Sequence, residues 1–136
     1  MINLSDEERR LLIDLALEAR GRAYAPYSNY AVGAALRTQS GRIFTGCNVE
    51  NAAYPTGMCA ERVAIFKAVS EGEKAFEVLA VVTSNGGSPC GGCRQVLAEF
   101  SLGTIVLIAD EQGHLVQETS VADLLPGAFT PKDLVA

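Results

Sequence analysis

The stretch VLAVVTSNGGSPCGGCRQVLAEFSLGTIVLIA, residues 78–109, decides the fold. It begins with a short apolar, β-branched run (78–83) and ends with another (104–109). Runs of this kind are typical of strands that are buried on both faces of a sheet. Between them Pro89 introduces a helix over about 90–100, as proline often does at the first turn of a helix. The order strand, helix, strand predicts two parallel strands that are joined by a right-handed crossover.

Helices and strands continue to alternate on either side of this unit. Ser5 and Glu8 form a capping box, which predicts a helix over about 5–22. The residues expected on its apolar face are Leu11, Leu12, Leu15, Ala16 and Ala19. The remaining predicted elements are strands over 31–38, 42–48 and 114–118, a helix over 59–70 and a short helix over 120–125. This pattern predicts one α/β domain over residues 1–136, a three-layer α/β/α sandwich around a mixed five-stranded sheet.

Composition narrows the classes of partner. The 136 residues include 16 acidic and 11 basic side chains, which give a formal net charge of -5. Binding to a phosphate backbone depends on clustered Lys and Arg, so nucleic acid is not an expected partner. No run is long and apolar enough for a bilayer, and residues 1–8 lack the basic start and apolar run of a secretory signal. We therefore expect a cytoplasmic protein that acts on a small molecule and does not bind a membrane.

Three cysteines and one glutamate carry the chemistry of the sequence. Cys59 is followed two positions later by Glu61. Cys90 and Cys93 are one helical turn apart, so both sulfurs can face one point. Structural zinc sites normally have four protein ligands, whereas catalytic sites have three and leave one position to water. The pattern therefore predicts a zinc site that activates water, with Glu61 placed to move protons beside it.

Several residues near these cysteines have more than one interpretation. Arg62 and Arg94 follow the two ligand clusters and could offset their negative charge, or could lie on the surface as most arginines do. Cys47 could be a fourth ligand that closes the site, although strand alternation places it on the face opposite Asn48 and Glu50. The four cysteines could also form disulfides, and the Cys-x-x-Cys pair could be a redox dithiol. A cytosolic location and the nearby glutamate favour the open zinc site.

Six stretches together resemble the small, homotetrameric cytidine deaminases. They are YAPYS (24–28), VGAA (32–35), GCNVENAAY (46–54), CAER (59–62), PCGGCRQV (89–96) and LLPGAF (124–129). The Cys-x-Glu and Pro-Cys-x-x-Cys elements are similar to the signature of zinc deaminases. The likeness covers nearly the whole chain. It implies a deaminase-like fold, one Zn²⁺ per subunit, and a homotetramer with active sites at the subunit interfaces.

The resemblance also implies how the reaction runs. Cys59, Cys90 and Cys93 would bind zinc, and Arg62 would offset the charge of the thiolates. A zinc-activated water would attack C4 of the pyrimidine ring. Glu61 would be the proton shuttle that protonates N3 before ammonia leaves.

A further set of residues would surround the substrate by the same resemblance. Asn48 and Glu50 would bind the ribose 3′-hydroxyl, and the backbone N–H of Ala60 would hold the pyrimidine carbonyl. Tyr30 takes a place beside the base that is usually filled by Phe. The residues that would complete the pocket across subunits are Ala52, Tyr54 and Phe129.

The function that follows is hydrolytic deamination of cytidine and 2′-deoxycytidine to uridine and 2′-deoxyuridine in pyrimidine salvage. Tyr30 and the Pro-Thr-Gly at 55–57 depart from the family pattern. They leave open a modified aminopyrimidine nucleoside, such as an antibiotic, as the substrate. Two other classes stay open: a zinc-stabilised binding module without catalysis, and an enzyme that edits polynucleotides, which the acidic composition opposes.

Overall fold

The structure is a computed structural model that describes residues 2–135, and it contains the predicted alternation of helices and strands. The elements are α1 (Asp6–Arg20), β1 (Gly33–Thr38), β2 (Ile43–Cys47), α2 (Ala60–Ser70), β3 (Phe76–Val82), α3 (Gly91–Phe100), β4 (Ile105–Ala109), β5 (Leu115–Ser120) and α4 (Val121–Leu124). Their ends lie within about two residues of the predicted ends. Two short 3₁₀ helices, Tyr54–Thr56 and Pro131–Leu134, were not predicted. Each has proline in its first turn, where the missing N–H is not needed.

The five strands form one mixed sheet in the order β2-β1-β3-β4-β5. β3 and β4 are parallel, as the sequence predicted, and the other neighbouring pairs are antiparallel. The connection from β3 to β4 passes through α3. Because α3 follows the carboxyl end of β3, its N-terminus lies at that end of the sheet, where ligand sites of α/β folds are usually found.

Helices cover both faces of the sheet, which confirms the predicted three layers. On one face α1 packs against inward side chains of β1, β3 and β4; this core includes Leu12, Ile13, Ala16, Val78, Ala80 and Leu107. On the other face α2 and α3 pack against the same strands, and this core includes Ala64, Ile65, Leu79, Val81, Leu97 and Val106. Within the described part of the chain, none of the helices combines the length and apolar character that a membrane crossing needs.

Of two predictions for the first helix, the capping box is confirmed and one residue of the apolar face is wrong. The Ser5 hydroxyl accepts from the Glu8 N–H at 3.1 Å, and the Glu8 carboxylate accepts from the Ser5 N–H at 2.9 Å, so the capping box is present. The predicted apolar face was wrong at Leu11, which is 51% exposed. Ile13 is buried instead. Three consecutive apolar residues, 11–13, leave the inward face ambiguous in the sequence, and packing against the sheet selects it.

Candidate active site

The three predicted ligand cysteines come together at the start of two helices. Cys59 is the N-cap residue of α2, Cys90 is the N-cap residue of α3, and Cys93 lies in the first turn of α3. Their sulfur atoms all lie within 4.8 Å of one another, and the Cys59 and Cys90 sulfurs are 3.9 Å apart. Zinc–sulfur bonds of about 2.3 Å at tetrahedral angles place two sulfurs about 3.8 Å apart. The cluster therefore fits one zinc ion.

Positive charge at the cluster comes from Arg62. Its Nη2 donates to the Cys59 sulfur at 3.1 Å. A hydrogen bond with Cys93 and the Arg62 guanidinium together lower the pKa of Cys59 to about 5. The same bond with Cys59, together with burial, raises the pKa of Cys93. The Arg62 guanidinium thus favours the thiolate form of Cys59, the sulfur to which it donates.

The sequence left two interpretations of Arg94 open, an offset for thiolate charge or a surface position, and the structure shows a third. Its Nε donates to the Pro89 carbonyl and its Nη1 to the Leu124 carbonyl, each at 2.8 Å. Its Nη2 donates to the Ser88 hydroxyl at 2.6 Å. The guanidinium is thus engaged by the segment before α3 and by α4. It fastens the start of α3 rather than offsetting thiolate charge.

Glu61 is a buried carboxyl beside the cluster. It is the second residue of α2 and is only 5% exposed. Burial raises the pKa of Glu61 above its ordinary value. Ala60 precedes it as the first residue of α2, where a backbone N–H has no acceptor within the helix. A ligand can therefore meet a proton carrier and a free N–H donor side by side.

A cavity of about 260 Å³ opens onto these groups. The predicted site residues that line it are Tyr30, Asn48, Glu50, Cys59, Ala60, Glu61 and Cys90. A shallower groove of about 520 Å³ shares some of these walls and adds Tyr54 and Arg62. The smaller cavity holds the chemistry, since Glu61 and Cys90 line it and do not line the groove. Its volume lies just below the range of about 300–1,000 Å³ that is usual for small-molecule sites.

Asn48 and Glu50 are both held by the loop that precedes β1. The Asn48 side chain accepts from the Val32 N–H and donates to the Tyr30 carbonyl, each at 2.9 Å. The Glu50 carboxylate accepts from the Ser28 hydroxyl and from backbone N–H groups of the same loop. The Ser28 hydroxyl, followed by those N–H groups, lowers the pKa of Glu50. Both side chains therefore reach the cavity in a fixed orientation, with Glu50 ionised at neutral pH.

Cys47 lies apart from the sulfur cluster. Its thiol points toward the Arg22 carbonyl, with the sulfur 3.5 Å from that oxygen. Among residues 2–135, the group of side chains able to share a metal ion contains the other three cysteines and not this one. The arrangement agrees with strand alternation, which separates Cys47 from Asn48.

Three predicted substrate residues lie on the outside of the single chain. Tyr54 is 75% exposed, Phe129 is 56% exposed, and Ala52 is exposed as well. Neither Ala52 nor Phe129 lines the two cavities described above. The Phe129 carbonyl accepts from Gln95 Nε2 at 2.7 Å, which fixes the backbone of the segment after α4. The single chain therefore does not bring Ala52 and Phe129 to the cavity, whereas Tyr54 lines the groove that Cys59 also lines.

Sequence reasoning missed part of the cavity wall. The additional lining residues are Ser28, Val32, Val81, Thr83, Gly87 and Ser88. Ser28 and Val32 lie within stretches that the family resemblance quoted, so their positions carried a signal. Thr83 and Gly87 lie between β3 and α3 in a loop of small residues, and nothing in its composition distinguishes a cavity wall from an ordinary turn.

The fold and the cluster together define a class of protein: an α/β/α hydrolase with a three-cysteine zinc site and a buried carboxyl beside it. The model of the cytidine and deoxycytidylate deaminase zinc-binding region matches residues 6–109. The cytidine deaminase of Sporosarcina psychrophila is 51% identical over 125 residues, which cover 90% of this chain and 92% of that protein. The cytidine deaminase of Halalkalibacterium halodurans is 48% identical, with 93% and 98% covered. This chain belongs to the cytidine and deoxycytidylate deaminase family.

A solved structure supports the same assignment. The crystal structure of cytidine deaminase from Burkholderia pseudomallei superimposes with a TM-score of 0.82 and is 46% identical in sequence. The match covers 93% of this chain and all of the other. The family predicted from the sequence is therefore confirmed, together with the zinc-deaminase character of its cysteine cluster.

Proposed function

We propose that the chain hydrolyses cytidine and 2′-deoxycytidine to uridine and 2′-deoxyuridine, with release of ammonia. The observation that carries this proposal is the buried Glu61 carboxyl beside three clustered sulfurs in a cavity that fits one small molecule. Proton transfer by a positioned carboxyl contributes about 10²- to 10⁴-fold in rate. A structural zinc module needs neither such a cavity nor such a carboxyl.

The chain's own residues account for the proton transfers. Cys59, Cys90 and Cys93 would hold Zn²⁺, which when bound supplies a Lewis acid that lowers the pKa of a water molecule. Glu61 accepts a proton from the attacking water and gives it to N3 of the ring. It then moves the second proton of that water to the amino group, which leaves as ammonia. A C4–O bond forms and the C4–N bond breaks, so cytidine and water become uridine and ammonia. The Ala60 N–H would hold the pyrimidine carbonyl.

The opposite side of the cavity would hold the sugar. Asn48 and Glu50 are already oriented by the loop before β1, and Glu50 is ionised and can accept a hydrogen bond from a ribose hydroxyl. Tyr30 lines the same cavity. A free base would leave Asn48 and Glu50 without their partner, so we expect the nucleoside to be preferred to cytosine.

Glu61→Gln tests this proposal directly. The amide keeps the shape of the side chain and cannot carry the proton, so we expect one zinc per chain and a turnover lower by about 10²- to 10⁴-fold. Turnover is followed by the ultraviolet absorbance change as cytidine becomes uridine, and zinc is measured on the same sample. Glu99→Gln is the matched control, since Glu99 is exposed on α3 and has no side-chain partner among the described residues.

The substrate panel separates the competing proposals. It contains cytidine, 2′-deoxycytidine, free cytosine and a modified aminopyrimidine nucleoside. Activity on cytosine alone would contradict the role of the sugar side of the cavity. Preference for the modified nucleoside would select the antibiotic-type alternative, and full activity of Glu61→Gln would overturn the proton shuttle.

We further propose that the active unit is a homotetramer of single-domain chains, residues 1–136, that acts in the cytoplasm in pyrimidine salvage. The exposed Tyr54 and Phe129, both predicted to complete a neighbouring pocket, support assembly, because large aromatic side chains at a protein surface favour association. The formal net charge of -5 argues against nucleic acid as a partner. Light scattering of the purified protein tests the assembly, and a monomer with full activity would contradict it.

A further inference from the structure

The segment between β3 and α3, residues 83–89, forms one wall of the cavity. We refer to it as the 83–89 loop. Thr83, Gly87 and Ser88 line the cavity, and the loop leads directly into Cys90 at the N-cap of α3. The position of this loop therefore sets both the width of the cavity and the position of one sulfur.

A chain of three hydrogen bonds ties this loop to Tyr30. The Tyr30 hydroxyl donates to Asn85 Oδ1 at 2.7 Å. Thr83 Oγ1, on a residue that is only 3% exposed, donates to the same Asn85 oxygen at 3.3 Å. The Gly87 N–H donates to Thr83 Oγ1 at 2.8 Å. The hydroxyls of Tyr30 and Thr83 both donate to the Asn85 amide oxygen, which is their shared acceptor.

The packing of the loop is as specific as its hydrogen bonding. A Cβ atom at Gly87 would lie 2.5 Å from the Tyr30 hydroxyl oxygen. Gly86 has φ +74°, which favours glycine, and a Cβ there would lie 2.7 Å from Val116 Cγ2 of β5. The two glycines therefore allow the loop to pass between Tyr30 on one side and Val116 on the other.

We propose that Tyr30 is a positioning residue: its hydroxyl fastens the 83–89 loop through Asn85 and so holds the cavity wall and the approach to Cys90. Family resemblance places Tyr30 beside the base, but its hydroxyl is engaged by the loop. The kinetic part of this inference rests on the proposed function of the cavity. The part that concerns the loop does not.

Tyr30→Phe removes only this hydroxyl. A hydrogen bond between neutral groups is worth about two- to tenfold in an equilibrium. We expect the KM for cytidine to rise by about two- to tenfold with kcat within about twofold, because the hydroxyl orients the wall and does not touch reacting atoms. Hydrogen exchange of the Gly87 amide and loss of zinc to a chelator should accelerate by a similar factor.

Two variants of Asn85 show whether the acceptor oxygen matters. Asn85→Leu removes the acceptor of both Tyr30 and Thr83, so it should be at least as harmful as Tyr30→Phe, and the double variant should be no worse than Asn85→Leu alone. Asn85→Asp keeps an oxygen at the same place, so hydrogen exchange of the Gly87 amide and the KM should stay near their wild-type values. Tyr24→Phe is the matched control, because the exposed Tyr24 hydroxyl has no hydrogen-bond partner among the described residues.

Steric rescue provides an independent test. Gly87→Ala places a Cβ against the Tyr30 hydroxyl and should displace the loop, raising KM further than Tyr30→Phe does. In the Tyr30→Phe background that oxygen is gone, and the next atoms are 3.5 Å and more from the added Cβ, which is ordinary contact. We therefore expect Gly87→Ala to be less harmful in Tyr30→Phe than in the wild type.

Specific outcomes overturn the proposal. If hydrogen exchange of the Gly87 amide is unchanged in Tyr30→Phe, the Tyr30 hydroxyl does not fasten the loop. If that exchange is faster but the KM is unchanged, the loop does not affect the site. If Gly87→Ala raises the KM equally in both backgrounds, the Tyr30 hydroxyl does not limit the space at Gly87. If the wild type does not deaminate cytidine, the proposed function fails, whereas exchange and zinc release still decide the loop bond.

Discussion

Gly46→Ala is the substitution that most directly tests how the fold positions the site. Gly46 lies in β2 under the start of α2, the helix that carries Glu61. A Cβ there would lie 2.5 Å from the Ala60 carbonyl oxygen and 2.7 Å from the Ala64 nitrogen. Both are helix backbone atoms that cannot rotate away. An ordinary contact of 3.4 Å requires α2 to move by about 0.9 Å.

The magnitude follows from this displacement. Overpacking of this kind costs about 1–3 kcal/mol, which lowers Tm by roughly 3–12 °C in a chain of this size. A misplacement of about 1 Å in the site costs on the order of 10²-fold in rate. The assay is thermal unfolding by circular dichroism, with kcat for cytidine measured at a saturating zinc concentration and well below the Tm.

The matched control is Gly103→Ala, where a Cβ meets only the Ser101 hydroxyl at 3.7 Å. We expect its Tm and kcat to stay near those of the wild type. A Gly46→Ala protein with unchanged Tm would refute the steric reasoning. A lower Tm with unchanged kcat would refute the claim that β2 fixes the catalytic position of Glu61.

Two other predictions concern the metal site and the first helix. Cys47→Ser should keep one zinc per chain and most of the activity, because its thiol lies apart from the cluster, whereas Cys93→Ser should lose zinc affinity. A colorimetric assay of the zinc bound per chain measures both variants. Hydrogen bonds from Ser5 and Arg37 hold the pKa of Glu8 below its ordinary value of 4.5, so its contribution to stability is present above that pH and is lost as pH falls through the lower value. In urea unfolding, Glu8→Gln should therefore be less stable than the wild type at pH 7, by a deficit that shrinks as the pH falls below 4.5. The exposed Glu7→Gln is the control, and a deficit that does not change with pH would contradict this linkage.

The fold was predictable where local signals agree with one another. The apolar runs at 78–83 and 104–109 and the capping box at Ser5 each specify an element without help from the rest of the chain. The inward face of α1 was not predictable, because Leu11, Leu12 and Ile13 are equally apolar. Which of them is buried depends on how the helix docks on β1 and β3, and this is a property of the assembled sheet.

The site residues were likewise predictable where the signal is local in sequence, and not where it depends on distant contacts. Cysteine spacing and the adjacent glutamate carry their own chemistry, so Cys59, Glu61, Cys90 and Cys93 could be assembled from the sequence alone. Arg94 could not be assigned, since its three acceptors come from the segment before α3 and from α4. The contact with Leu124 links residues 30 positions apart, and none of the three leaves a periodic or spacing signal.

The helix caps show why the two helices at the site differ from the others. Ser5 and Ser120 each accept a backbone hydrogen bond at the start of a helix. Within residues 2–135, Cys59 and Cys90 hold the same position in α2 and α3 and make no such bond. A good cap is worth about 0.5–2 kcal/mol, so two helices give up that stability. In return, uncapped N–H groups and the positive ends of two helix dipoles face the thiolates and the cavity, where they favour negative charge. The local departure from good helix design is therefore part of what makes the cluster able to hold a cation and the Ala60 N–H able to hold a ligand.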